Sequence, residues 1–187
     1  MAMPTMRRDW TVDDLLDLPD DGNRYEVLDG ERLVTPAPTL DHQRAVLALG
    51  RLLNDYLATN RVGEAIVSPA DVTFSPRRLV QPDVFVIPFG DTGRKVSRFV
   101  DVGRLVLAVE ILSPSTARAD RVMKRRVYRD EGVPEYWIVD LDARTIERST
   151  PADERVEVLA DAIDWLPSGA TAPLRIDIGA YLSGALD

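Results

Sequence analysis

Two stretches of this chain are apolar on consecutive residues, and each carries one acid. They are Gln81-Pro82-Asp83-Val84-Phe85-Val86-Ile87 and Leu105-Val106-Leu107-Ala108-Val109-Glu110-Ile111-Leu112. Short, continuous apolar runs of this kind read as buried strands. A carboxylate among Val, Ile and Leu is costly unless it is paired or holds a cation. Asp83 and Glu110 therefore fix two buried strands and demand a partner for each acid.

The surrounding pattern predicts an α/β chain. Thr11 with Asp14 approximates a capping box for a short helix to about Leu18. Tyr25 to Leu28, Asp29-Gly30 and Glu31 to Val34 form a hairpin signal. Residues 41–59 carry apolar positions at Val46, Leu49, Leu52, Leu53 and Tyr56, a helical period. Glu64 to Phe74 reads as a strand interrupted near Pro69, and Gly90 to Arg98 reads as a loop. Ser113-Pro114-Ser115-Thr116 stops the Glu110 strand and caps a helix from about Ala117 to Glu131, with a strand at Glu135 to Asp140. The tail holds strand-like runs at Thr145 to Arg148, Arg155 to Leu159 and Leu174 to Ile178, then a last turn at Gly179 to Leu186. The order predicts a mixed central sheet flanked by helices, with an N-terminal β-hairpin and a C-terminal β-meander. One domain is expected over residues 1–187, with its core at about 24–140 and an acidic, β-rich tail at 141–187.

Composition excludes several classes. The chain has no cysteine, so disulfides, thiolate zinc sites and cysteine nucleophiles are ruled out. No apolar run reaches membrane-spanning length, and Met1 to Arg8 lack an apolar signal core, so a cytoplasmic protein is expected. The net charge of −8 argues against nucleic acid. Its distribution softens that objection, because the excess of acids lies from Asp130 onward. Between Arg118 and Glu131 bases outnumber acids, so Arg118, Arg121 and Arg125 are candidates for contacting phosphate, a solvated ion-paired helix being the alternative. Of 23 basic residues only Lys95 and Lys124 are lysines. Arginine serves equally for surface charge but does not replace a compact ammonium beside a reacting water.

These residues fit metal-assisted phosphodiester hydrolysis. Two carboxylates pointing to one side of adjacent strands, with the Ile111 carbonyl as a third oxygen, suit a hard divalent cation. A nearby lysine would orient the water and offset developing charge. Glu110 lies about 10 Å before the strand end at about 3.3 Å per residue. Thr116 to Lys124 spans about 12 Å at about 1.5 Å per residue, so the two come level when the helix folds back. Asp120, Lys124 and Tyr128 share one i, i+4 stripe; a plain Lys124–Asp120 pair is the alternative. Glu26, Glu31, His42 and Gln81 are auxiliary candidates. His42, at a helix start, either contacts phosphate or packs against the terminus.

The text WTVDDLL, RYEVLDGERLVTPAP followed by His42-Gln43, QPDVFVIP and VEILSPSTARADRVMKRRVYRDEGVPEYWIVD covers most of residues 10–140. It resembles a bacterial restriction-endonuclease family, long known only as a domain of unknown function, within the PD-(D/E)XK nuclease superfamily. The resemblance implies a restriction-endonuclease-like core with Asp83, Glu110 and Lys124 as the metal and catalytic set. It departs from the superfamily pattern at Leu112, where a lysine is usual; residues 110 and 112 share a strand face, so Lys124 would fill that place. The expectation is an endonuclease cutting DNA with Mg²⁺, or Mn²⁺ as a substitute, and leaving a 5′-phosphate. The rival is a weak or inactive nuclease-fold module binding nucleic acid or a protein. A homodimer is expected, and a third reading is a homodimeric structural or regulatory protein whose interface is the Tyr136-Trp137 strand and the acidic tail.

Overall fold

The computed structural model describes residues 9–90 and 104–187. Met1 to Arg8 and, apart from Gly90, the expected loop to Arg98 with Lys95 lie outside the described residues. The first helix, α1 (Val12–Leu15), is capped reciprocally by Thr11 and Asp14 and is shorter than expected. Strands β1 (Arg24–Leu28) and β2 (Glu31–Thr35) form the hairpin. Asp29 and Gly30 both hold positive φ, at 54° and 85°, as the tight turn that matches strand twist requires.

Helix α2 (Leu40–Asn60) starts at Thr39, whose hydroxyl accepts from the His42 N–H. It buries Val46, Leu49, Leu53 and Leu57 along one face. The segment read as one interrupted strand is two: β3 (Gly63–Val67) and β4 (Val72–Ser75) lie in different sheets. The short β5 (Arg78–Val80), not foreseen, joins β4 to the hairpin in a four-stranded sheet ordered β2-β1-β5-β4. Then follow β6 (Val84–Pro88), β7 (Leu107–Ile111), a helix ending in α3 (Arg125–Asp130), β8 (Glu135–Asp140), β9 (Thr145–Ser149) and β10 (Glu157–Leu159).

The main sheet is ordered β10-β9-β8-β7-β6-β3, and β7 with β8 is its parallel pair. Parallel neighbours need a crossover, which the helix between them supplies. That helix and the four-stranded sheet cover one face, where Phe85, Ala108, Tyr136 and Ile138 pack with Leu28, Val80, Val127 and Tyr128. Helix α2 covers the other face over Val84, Val86, Val109 and Trp137. Strands β6, β7 and β8 are thus covered twice, which is why their sequences do not alternate.

The tail is more integrated than a trailing meander. β9 and β10 continue the main sheet, while β11 (Ala162–Trp165) and β12 (Leu174–Asp177) pair separately. Residues expected as a last turn form helix α4 (Ile178–Leu186), capped by Asp177. Ile163, Trp165, Ile176 and Leu182 join the α2 core, and the Tyr181 hydroxyl donates to the Ala45 carbonyl at 2.9 Å. Among the described residues no helix is long and apolar enough to cross a membrane.

The crossover helix is not uniformly α. Ala119–Lys124 forms a π-helical segment, and the Arg125 N–H donates to the Asp120 carbonyl five residues back. An α-helix turns about 100° per residue, so residues eight apart would diverge by about 80°. The wider i→i+5 turn rotates less per residue and brings Asp120, Lys124 and Tyr128 towards one line. All three are buried.

Candidate active site: a buried carboxylate cluster

The β6–β7 register pairs Val84 with Val109; one step further, Asp83 stands opposite Glu110 on the same face. Both are 2 % exposed. The Glu110 Oε1 atom accepts from the Tyr128 hydroxyl at 3.0 Å and lies 3.0 Å from Lys124 Nζ. That ammonium also sits 3.0 Å from Glu26 Oε2 and 3.6 Å from Asp120 Oδ1. Glu26 is fixed from behind, its Oε1 accepting from the Gln81 N–H at 2.7 Å. The Tyr136 hydroxyl donates to the Asp120 carbonyl at 3.1 Å and holds the π turn against β8.

Asp83 has a different environment. Its Oδ1 accepts from Arg24 at 2.9 Å, and its Oδ2 meets His42 Nε2 at 3.0 Å and accepts from the Ile111 N–H at 2.9 Å. Burial alone would raise this carboxyl, but His42 and Arg24 outweigh it and hold it at about 2. Glu110 goes the other way. Burial pushes it well up, and the neighbouring acids reinforce this against the pull of Lys124. Asp120 is likewise raised, chiefly by burial. Burial would strip Lys124 of its proton, yet Glu110, Glu26 and Asp120 together keep it charged. Four buried acids thus share two cations, Arg24 and Lys124, and burial shifts two of the acids, Glu110 and Asp120, towards the protonated form.

The cluster opens on a cleft of about 800 Å³, whose lining includes Asp83, Glu110 and Lys124. Its donors are oxygens, which suit hard cations such as Mg²⁺ or Mn²⁺. Among the described residues no group of three or more His, Asp or Glu is arranged to hold a metal. A cation with two carboxylates and a carbonyl would keep several waters, as Mg²⁺ does. Asp83 has three of about four lone-pair sites in use and keeps one on Oδ1; Glu110 meets both Lys124 and Tyr128 through Oε1, not Oε2. The donor set therefore fits a divalent ion.

A family model described as "Putative restriction endonuclease", Uma2, matches residues 12–175. The chain belongs to the Uma2 family. A search of curated proteins found no match. Among solved structures, this Uma2 chain is similar to a "putative nuclease belonging to DUF820" from Anabaena variabilis ATCC 29413. The two share 22% identity and a TM-score of 0.76, covering 94% of this chain and 99% of that one. At that identity the likeness speaks for the fold.

The structure gathers most of the residues singled out from sequence, but not all. Asp83, Glu110, Lys124, Glu26 and His42 meet, and Ile111 lies beside Asp83. Gln81 contributes its backbone N–H, while its side chain turns away to Asp71 at 2.7 Å. Glu31 stands exposed at the hairpin end, outside the cluster. Arg121 lines the cleft, but its guanidinium is engaged by Glu147 and Asp140 at 2.6 and 3.1 Å. Arg125 borders a separate small pocket with Tyr136 and Ser149, and Arg118 is exposed. Arg126 bonds to Asp29 at 2.7 Å, so the helix carries ion pairs at Arg121 and Arg126. Arg24 is not among the residues that the sequence pattern singles out. It lies two residues before Glu26 on the same strand face, which was the available signal.

Proposed function

We propose that this Uma2 chain is a metal-dependent endonuclease that hydrolyses DNA phosphodiester bonds. The observation that carries the reading is the pairing of Asp83 with Glu110 on one sheet face, with the Lys124 ammonium 3.0 Å from Glu110 and the cleft open beside them. Asp83, Glu110 and the Ile111 carbonyl would hold Mg²⁺ or Mn²⁺. Such an ion, when bound, supplies charge neutralisation at a phosphate and a more acidic water. Lys124 positions the attacking water and offsets the charge that develops on the phosphate oxygens. Arg24 and His42 keep Asp83 ionised and aimed. Glu26 and Asp120 keep Lys124 protonated.

A second reading, a nuclease-fold module that binds without cutting, draws on the same ammonium: three carboxylates already surround Lys124. Incubating supercoiled plasmid with wild type and Asp83→Asn in Mg²⁺, Mn²⁺ or EDTA separates the two. The expected result is metal-dependent nicking by wild type and none by the variant. Retained binding without any nicking would favour the module, and equal nicking by both proteins would remove the site from the reaction.

A further inference from the structure

Each of the two larger sheets ends in two edge strands, and an exposed edge offers unpaired N–H and C=O groups to any other chain. Three of these edges are blunted. On β3 the Asn54 side chain stands in for a strand: its amide nitrogen donates to the Ala65 carbonyl at 3.1 Å, and its oxygen accepts from the Ala65 N–H at 3.0 Å. Strand β10 is three residues long. Strand β4 shifts register between Thr73 and Ser75, an irregularity that bends an edge. The remaining edge, β2, has five residues in unbroken register with β1.

The hairpin fixes which groups β2 leaves free. A two-residue turn of this type closes on a hydrogen-bonded pair, here Leu28 with Glu31. Bonding alternates along the ladder, so Leu33 and Thr35 also bond to β1, while Arg32 and Val34 turn their N–H and C=O outward. Val27, opposite Arg32, points the other way and pairs with Leu79 of β5. Among the described residues no backbone bond reaches the outward groups of Arg32 and Val34. Arg32 is exposed, and Val34 is 41% exposed.

We propose that β2 pairs with β2 of a second copy, antiparallel about a two-fold axis at Leu33, and joins two four-stranded sheets into one. The available bonds select the register. Setting Arg32 opposite the partner's Val34 uses every outward N–H and C=O of both residues. Setting Arg32 opposite its own copy puts like charges face to face. It also sends Val34 to Gly30, whose C=O and N–H are already bonded to Trp10 and Arg77. Setting Val34 opposite its own copy sends Arg32 to Pro36, which has no N–H. A foreign peptide on a sheet edge is recognised through pockets for alternate side chains, and the cleft and the small pocket by Arg125 both stop short of Glu31 to Val34. Strand β8, where an interface was expected, lies inside the main sheet with Tyr136 and Trp137 buried, and has no edge to offer. The Leu33 register also touches the cleft. The partner's Glu31 stands opposite Thr35, which is itself opposite Arg24. Thr35 and Arg24 line the cleft, so a carboxylate of the second copy arrives at its rim.

The test is sedimentation equilibrium on the full chain, with protein raised to the order of 1 mM because an interface of one strand pair is small and its dimer weak. Wild type is expected to show a reversible monomer–dimer equilibrium. Val34→Pro removes an N–H that no bond inside the sheet uses, and edge strands accept proline there. The fold should survive while dimerisation weakens about tenfold or more. The chain has no cysteine, so single cysteines report the register independently. Leu33 faces its own copy in a non-hydrogen-bonded pair with Cα atoms about 4.5 Å apart, within reach of a disulfide. Arg32 and Val34 stand about 8 Å from their own copies, beyond that reach. Mild oxidation should therefore cross-link Leu33→Cys and leave Arg32→Cys and Val34→Cys as separate chains. If Val34→Pro does not fold, the cysteine comparison carries the test. A monomer at every concentration, a dimer indifferent to Val34→Pro, or cross-linking at position 32 or 34 in preference to 33 overturns the proposal.

Discussion

Replacing Lys124 with methionine is expected to destabilise the fold by about 3–5 kcal/mol, the range for removing one partner of a buried ion pair. Methionine has a similar length and fills the same space, so little packing is lost. What remains are three buried carboxylates, Glu26, Glu110 and Asp120, that have lost the cation standing 3.0, 3.0 and 3.6 Å from them. All three are only 1–2 % exposed, so solvent compensates poorly for that lost charge. The checking measurement is urea unfolding at neutral pH. Adding Glu26→Gln to Lys124→Met should recover part of the loss, because it removes one of the stranded charges. That non-additivity separates an ion-pair cluster from simple packing. A cost below about 1 kcal/mol, typical of an exposed pair, would contradict the cluster.

Glu110→Gln is expected to act in the opposite sense on stability and strongly on activity. Burial and the neighbouring acids hold the Glu110 carboxyl well above its ordinary value. The sign follows from linkage. An acid whose folded value is raised binds its proton more tightly in the fold than in the unfolded chain, so ionising it costs stability once pH exceeds the unfolded value. Glutamine removes that cost and still accepts from Tyr128 and Lys124 through its carbonyl oxygen. Lys124 keeps Glu26 and Asp120 as partners. The variant should therefore unfold at a urea concentration equal to or above that of wild type at pH 7–8, with the gain shrinking as pH falls. Metal-dependent nicking should drop on the order of 100-fold or more, since a charge held where the reaction needs it is lost. Lower stability together with intact nicking would mean that Glu110 is a structural partner of Lys124 and nothing else.

The two acids were legible because each interrupts a run that is otherwise continuously apolar. Such a run implies a strand covered on both faces, and the cost of burying charge there identifies the acid as purposeful. Lys124 was legible from the Asp120, Lys124 and Tyr128 spacing, although the π turn that helps align those side chains has no signature in the residue types. Arg24 was hidden for another reason. It opens a hairpin strand, where arginine normally reaches solvent, and its partner Asp83 lies 59 residues away in the chain. The short strands β5 and β11 span three and four residues, too few for a period to show. Gly179, Ser183 and Gly184 made α4 read as a turn. The apolar residues Ile178, Tyr181 and Leu182, which pack into the core, override that local preference.

The central claim is that Asp83 and Glu110 jointly bind a divalent cation beside Lys124. Anomalous scattering from a crystal soaked in Mn²⁺ tests it most directly. The account predicts one strong peak bonded to oxygens of both Asp83 and Glu110, with the Lys124 ammonium still within reach of Glu110. A peak bound elsewhere, or none with the two carboxylates unmoved, would contradict it.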